Sequence, residues 1–176
     1  MNVASRIAVP AGRHIPAGAG RAVPFPLHPI SQLVAGSDLP ANVSLWEVEI
    51  PAKSPGAPPH IHTHEDEIYV VLEGEMTFLI GEEVVTAGPG STVALPRGGL
   101  HATWNAGNAP VRALTFVSQD SAFEHFFDRV VARVAEEGAA SPAEAAGIVG
   151  AVAAEIGVAI HMDKLPEPAK PFFGGA

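Results

Sequence analysis

The chain has 176 residues, 47% hydrophobic and 16% charged, which allows one core-bearing domain with or without a helical appendage. A formal net charge of −9 argues against nucleic acid or an anionic membrane as partner, since both need a basic surface. The absence of cysteine excludes disulfides, thiolate metal sites and iron–sulfur clusters, so any metal must sit on nitrogen and oxygen.

Residues 1–26 are rich in Gly, Ala and Pro with little periodicity and read as an N-terminal arm, with room for a short strand. Met1 to Phe25 holds no continuous apolar run after its charges, so no secretory signal is expected. The apolar stretch Ala145 to Ala154 is too short to span a bilayer, and a cytoplasmic protein is the default expectation. From 27 to 118 the pattern is short strands broken by turns. Strands are expected over 28–35, 43–50, 67–73, 75–80, 83–87, 91–95, 101–105 and 110–118. The 18 glycines and 17 prolines of the chain supply such turns. This pattern predicts a closed barrel or a double-sheet jelly roll. In 67–73 both faces are substantially apolar, so the outer one needs cover from the arm, the helices or a second subunit. A homodimer is the simplest arrangement.

Residues 119–160 form a helical extension. Phe123, Phe126, Phe127, Val130, Val131 and Val134 recur at helical spacing, with Gly138 as a stop. Ser141-Pro142-Ala143-Glu144 reads as a capping box opening a second helix to about Ile156, ended by Gly157. Both helices are expected to be structural. The last segment, 161–176, reads as a tail, with Pro166 to Ala176 either poorly ordered or docked as an extended strand.

Chemistry concentrates in Pro58-Pro59-His60-Ile61-His62-Thr63-His64-Glu65-Asp66-Glu67. Alternate residues on a strand share a face, so His60 and His62 present two imidazoles together. Glu67 has the wrong parity to continue that strand, so a turn over 63–66 must return it on the next one. His101, from a distant strand, is the candidate fourth donor. Glu65 and Asp66 read as solvated turn charges, and Trp104, of opposite parity to His101, as facing away from the donors.

These residues resemble the two motifs of the cupin superfamily, G-x5-H-x-H-x3,4-E-x6-G and G-x5-P-x-G-x2-H-x3-N. His60, His62, Glu67 and Gly74 fit the first from its histidine onward, and Gly90, Pro96, Gly98, His101 and Asn105 fill the second. Ser54 stands where the first motif opens on glycine. Gly56 would fit only if His62 and His64 were the pair, which leaves too few residues before Glu67. The resemblance therefore implies an all-β, double-stranded β-helix (jelly-roll) cupin barrel with two C-terminal helices. It implies one divalent metal ion on His60, His62, Glu67 and His101, with Asn105 structural and His64 in the turn.

Three imidazoles and one carboxylate suit iron, manganese, nickel, cobalt, copper or zinc. Within the superfamily the chain resembles single-domain bacterial proteins of the quercetin 2,3-dioxygenase-like kind. That implies a dioxygenase acting on a small aromatic or enol substrate, with Glu67 as ligand and catalytic proton acceptor. Between Trp46 and Ser118 the basic residues are Lys53, Arg97 and Arg112, too few for a phosphosugar pocket. A metal-dependent isomerase, decarboxylase or hydrolase, or a non-catalytic small-ligand-binding protein, are the alternatives.

Overall fold

Val111 to Ser118 alternates buried and half-buried residues without a break, the signature of a strand with one face on a core. It lies inside one of two six-stranded sheets in the computed structural model, which describes residues 12–118 and 122–174. In chain order the strands are β1 (Arg21–Val23), β2 (Ile30–Val34), β3 (Val43–Ile50), β4 (Ser54–Pro55), β5 (His60–His62), β6 (Glu67–Glu73), β7 (Met76–Ile80), β8 (Glu83–Ala87), β9 (Thr92–Leu95), β10 (His101–Asn105), β11 (Val111–Ser118) and β12 (Val158–Ile160). They form two antiparallel sheets. One runs β1-β2-β3-β11-β6-β9 and the other β12-β5-β10-β7-β8, with β4 also on β10. The fold is the jelly-roll barrel expected, carrying helices at its C-terminal end.

Apolar side chains from the inner faces of both sheets, among them Trp46, Val71, Met76 and Phe78, make one core. That core continues without interruption into the helices α1 (Phe126–Glu137) and α2 (Pro142–Glu155) through Phe127, Val130 and Val152. Gly138 ends α1 at a φ of 70°, and α2 opens on the expected capping box, Ser141 with Glu144. Residues 119–121, where the helical segment was expected to begin, lie outside those described.

The arm supplies the short strand it had room for, β1, at the edge of the first sheet. Two sequence expectations change. The second sheet recruits β12 from beyond the helices, which pairs directly with β5 through Val158↔His62 and Ile160↔His60. The described part of the C-terminal tail, to Gly174, is neither loose nor extended. It folds into 3-10 turns at Met162–Lys164 and Glu167–Ala169 and a short helix α3 (Lys170–Phe173). Ala169 is fully buried there against Leu79, Ala102 and Trp104 on the outside of the second sheet, which is the face that Trp104 was expected to take. No helix among the described residues is long and apolar enough to cross a membrane.

The outer face of the first sheet remains half-open. Ile68 pairs with Phe116, which also pairs with Leu45, and Leu114 pairs with Val70. Ile68 is 41% exposed. No described element covers this apolar row.

Gly74, in the turn between β6 and β7, has a φ of 76°, and a Cβ there would stand 2.6 Å from the Pro110 carbonyl oxygen. Both the left-handed backbone and the close approach require glycine. Gly74→Ala should therefore lower stability by more than about 1 kcal/mol in urea unfolding. An unchanged midpoint would contradict the turn's geometry.

Candidate metal centre

Pro58 and Pro59 keep the chain extended into β5, where His60 and His62 point inward on alternate positions and are 7% and 2% exposed. The chain then turns through Thr63 to Asp66, and Glu67 opens β6 on the opposite sheet. His101 opens β10, directly paired with His60. The sequence reading expected β5 and β6 to be neighbours and His101 to come from a distant strand. The structure reverses this: the three imidazoles share one sheet, and Glu67 reaches across from the other.

The donor atoms of His60, His62, Glu67 and His101 all lie within 4.8 Å of one another, and all four residues are buried. His60 Nε2 is 3.1 Å from His62 Nε2, and Glu67 Oε2 is 3.3 Å from His101 Nε2 and 3.9 Å from His62 Nε2. Donors bound to one ion at about 2.1 Å stand roughly 3 to 4.2 Å apart, and these separations fall in that range.

The outward nitrogens show why the inward ones face each other. His60 Nδ1 donates to the Pro58 carbonyl at 2.7 Å and His101 Nδ1 to the Gly99 carbonyl at 3.0 Å. His62 Nδ1 lies 3.2 Å from Glu65 Oε2. A carbonyl can only accept, so the proton of His60 and His101 sits on Nδ1 and each neutral ring turns an Nε2 lone pair inward. Two lone pairs 3.1 Å apart repel unless a cation lies between them. Among the described residues, His101 Nε2 and Glu67 Oε2 have no aligned hydrogen-bond partner although both are buried. Orphaned, acceptor-only atoms converging on one point are what a divalent cation satisfies.

Without an ion, burial and the charges of His101 and His62 hold the His60 imidazole down at about 3, against an ordinary value of 6.5. For Glu67, burial alone would raise the carboxyl. His101 and the other imidazoles, when protonated, outweigh it and hold it at about 2.

The rest of the loop is clamped. Asp66 takes bonds from the Arg97 backbone and Nε, both at 3.0 Å, and from Ser118 Oγ at 3.2 Å, and the Arg97 hydrogen bonds hold its carboxyl well below the usual range. The turn before Glu67 is thus tied to the turn before His101. Gly98 also donates to the His62 carbonyl at 2.9 Å. Asn105 donates to the carbonyls of Ile50, Pro51 and Ala109 and takes the Gly107 N–H, a structural role as expected. Gly56 rather than residue 54 makes the close approach, since a Cβ there would meet Thr103 Oγ1 at 2.5 Å. His64 is exposed and stands outside the cluster.

His60, His62 and Glu67 line one side of a cavity of about 110 Å³. Its opposite wall is aromatic: Phe25 of the arm and Phe123, Phe126 and Phe127 at the start of the helical segment. The Phe123 ring stands 5.5 Å from that of His62, and Phe127 packs 4.9 Å from Trp46. The aromatic stripe taken from the sequence as structural is therefore also the roof of the site, because helix periodicity marks an apolar face without saying which cavity it closes. Tyr69, one inward position beyond Glu67, also lines the cavity. Burial, then the Glu67 charge, pushes its phenol up, so it remains a hydroxyl.

Sequence reasoning missed Glu65. It is not a solvated turn charge but wholly buried against His62. Its position three residues after a candidate ligand was the available signal.

Residues 46–117 match the family model for the cupin domain. That segment, under half of the chain, is similar to a cupin domain. Among solved structures, the chain is similar to a sugar phosphate isomerase of the cupin superfamily from Silicibacter pomeroyi, with 23% identity, a TM-score of 0.45 and coverage of 51% of this chain and 59% of that one. It is similar to the DMSP lyase DddQ from Ruegeria pomeroyi, with 36% identity and a TM-score of 0.40, over 45% of this chain and 39% of the other. It is also similar to KdgF from Halomonas sp., with 15% identity and a TM-score of 0.52, over 63% of this chain and 97% of that one. The first two matches span less than two thirds of those proteins, and the third is a likeness of fold. No curated protein sequence matches the chain.

His62→Ala should remove most bound metal while the barrel stays folded, and His64→Ala should leave the metal content nearly intact. Elemental analysis of the two purified variants checks both, and retention by the first or loss by the second would refute the ligand set. Acid should also destabilise the metal-free protein. His60 is protonated in the unfolded chain below 6.5 but in the folded one only near 3, so stability is complete above 6.5 and falls as pH drops through that window. Glu67 acts in the same direction, its contribution present above 4.5 and lost towards 2. Urea midpoints of chelator-treated protein that do not change with pH would contradict this.

Proposed function

We propose that the protein is a metal-dependent enzyme for a small, mostly apolar molecule that meets the ion through oxygen, with oxygenolytic cleavage of an enol as its reaction. The observation that carries this reading is a cluster of four donors, three of which line the wall of a mostly apolar cavity. A redox-active divalent ion bound there would supply Lewis acidity and dioxygen chemistry.

The chain's own residues supply the remainder. Among the described residues, Glu67 is the one buried carboxylate facing the cavity, and it is the proton acceptor for a substrate hydroxyl brought to the ion. Tyr69 and Thr115, on paired positions of β6 and β11, add hydroxyls beside it. The phenylalanine roof excludes water and orients the apolar end of the substrate. No lysine or arginine is among the described lining residues, which disfavours a phosphorylated sugar.

Cavity size refines the substrate class that the quercetinase-like resemblance implied. A cavity of roughly 150 Å³ accommodates benzene. One of about 110 Å³ suits a compact enol or hydroxy-ketone, and a flavonol would need the roof to move.

We also propose that the protein pairs as a homodimer across the outer face of the first sheet, through Leu45, Ile68, Val70, Leu114 and Phe116. An apolar sheet face this open needs a second layer, and a second copy offers a self-complementary one.

Two measurements test these readings. Protein loaded separately with iron, manganese, nickel, copper, cobalt and zinc is assayed for oxygen uptake against compact enols, diketones and flavonols. Metal-dependent uptake with the compact substrates is expected. Turnover without oxygen, or ligand binding without turnover, would sink the dioxygenase reading in favour of a redox-neutral enzyme or a binding protein. Light scattering should give twice the mass of the chain, with Phe116→Glu reverting it to one. A wild-type monomer would refute the pairing.

A further inference from the structure

Glu65 has no role in the ligand set, yet it is fully buried, which is costly for a carboxylate without a purpose. Its burial is built into the loop. On one side, Thr63 N–H and Oγ1 both bond the Gly157 carbonyl, at 3.1 and 2.6 Å, and the His64 ring lies against Gly157. On the other, Asp66 is held by Arg97 and Ser118. With Thr63, His64 and Asp66 fixed outward, the chain can only direct Glu65 inward. There Oε2 stands 3.2 Å from His62 Nδ1, and Oε1 has no hydrogen-bond partner among the described residues.

The three imidazoles are therefore not supported alike. His60 and His101 rest on neutral carbonyls, each two residues earlier in the chain. His62 alone rests on a carboxylate, from a residue that the strand pattern does not supply. A carboxylate behind an imidazole fixes the same tautomer as a carbonyl does, and it also makes the inward nitrogen a stronger donor. It brings a second buried negative charge as well. With three neutral imidazoles, Glu65 and Glu67 together carry the two charges that one divalent cation cancels.

We propose that Glu65 is a positioning residue for the metal: it locks the His62 ring with its Nε2 lone pair toward the ion and balances the ion's second charge. This rests on the metal-centre reading but not on the proposed reaction. A loss of oxygenase activity would leave it standing, and its own test reads no turnover.

The test uses the full chain labelled with 15N-histidine, metal-free in mildly alkaline buffer, and metal affinity measured by chelator competition with manganese and zinc. In the wild type, the His62 ring should show its proton on Nδ1. A proton on Nε2 would overturn the proposal outright, with no variant needed. Glu65→Ala should release the ring into a mixture of tautomers and weaken metal binding by about 10- to 100-fold. Glu65→Gln keeps an acceptor oxygen without the charge. It should retain the tautomer and lose affinity by less than the alanine variant, yet measurably. If Glu65→Ala kept the single tautomer and an affinity within about 3-fold of wild type, Glu65 would be a filler of the loop and nothing more. Should that variant fail to fold, Glu65→Gln still decides, because affinity equal to wild type would remove the charge-balancing role.

Discussion

Three imidazoles are turned so that their unprotonated nitrogens face a single point, and the rest of the molecule serves that arrangement. The rings do not choose this orientation. Backbone carbonyls accept hydrogen bonds from Nδ1 of His60 and His101, a carboxylate stands behind Nδ1 of His62, and Glu67 closes the group from the other sheet. Left without a cation, the cluster sets lone pair against lone pair inside a buried space. That cost is of the kind a folded protein tolerates only where a ligand later removes it.

The barrel makes the arrangement possible by placing distant chain segments on fixed strand positions. Pairing of β10 with β5 brings His101 beside His60, and the two-sheet architecture lets a carboxylate arrive from across the interior. Two turns, 63–66 and 96–99, are joined by Asp66 and Arg97, which ties together the ends of β5, β6 and β10. The helices complete the site by covering it. Their phenylalanines join the barrel core and at the same time set the dimensions of the cavity beside the donors.

Much of this was legible in the sequence because strands repeat every two residues. The parity of His60 and His62 and the odd offset of Glu67 grouped three candidate donors, and the resemblance to the two cupin motifs added His101 and the jelly-roll barrel. Sequence could not show which strands neighbour which, so His101 and Glu67 exchanged their expected places. Glu65 read as a turn charge because its neighbours are polar. Its burial follows from contacts with Gly157 and Arg97 that lie far away along the chain. The Phe123–Phe127 stripe announced a buried face, but not that the face looks onto a ligand set. The three residues of β12 were too few to carry a period, and the tail read as poorly ordered or docked as an extended strand where Ala169 is in fact packed in a turn.

The central claim is that these four side chains jointly hold one cation. X-ray absorption at the edge of the loaded ion reads its surroundings directly. The account predicts imidazole multiple scattering from three rings, with light donors at about 2.0–2.2 Å. A shell of oxygen alone, with no imidazole signature, would mean that the ion binds elsewhere and that the convergence of His60, His62, Glu67 and His101 serves some other end.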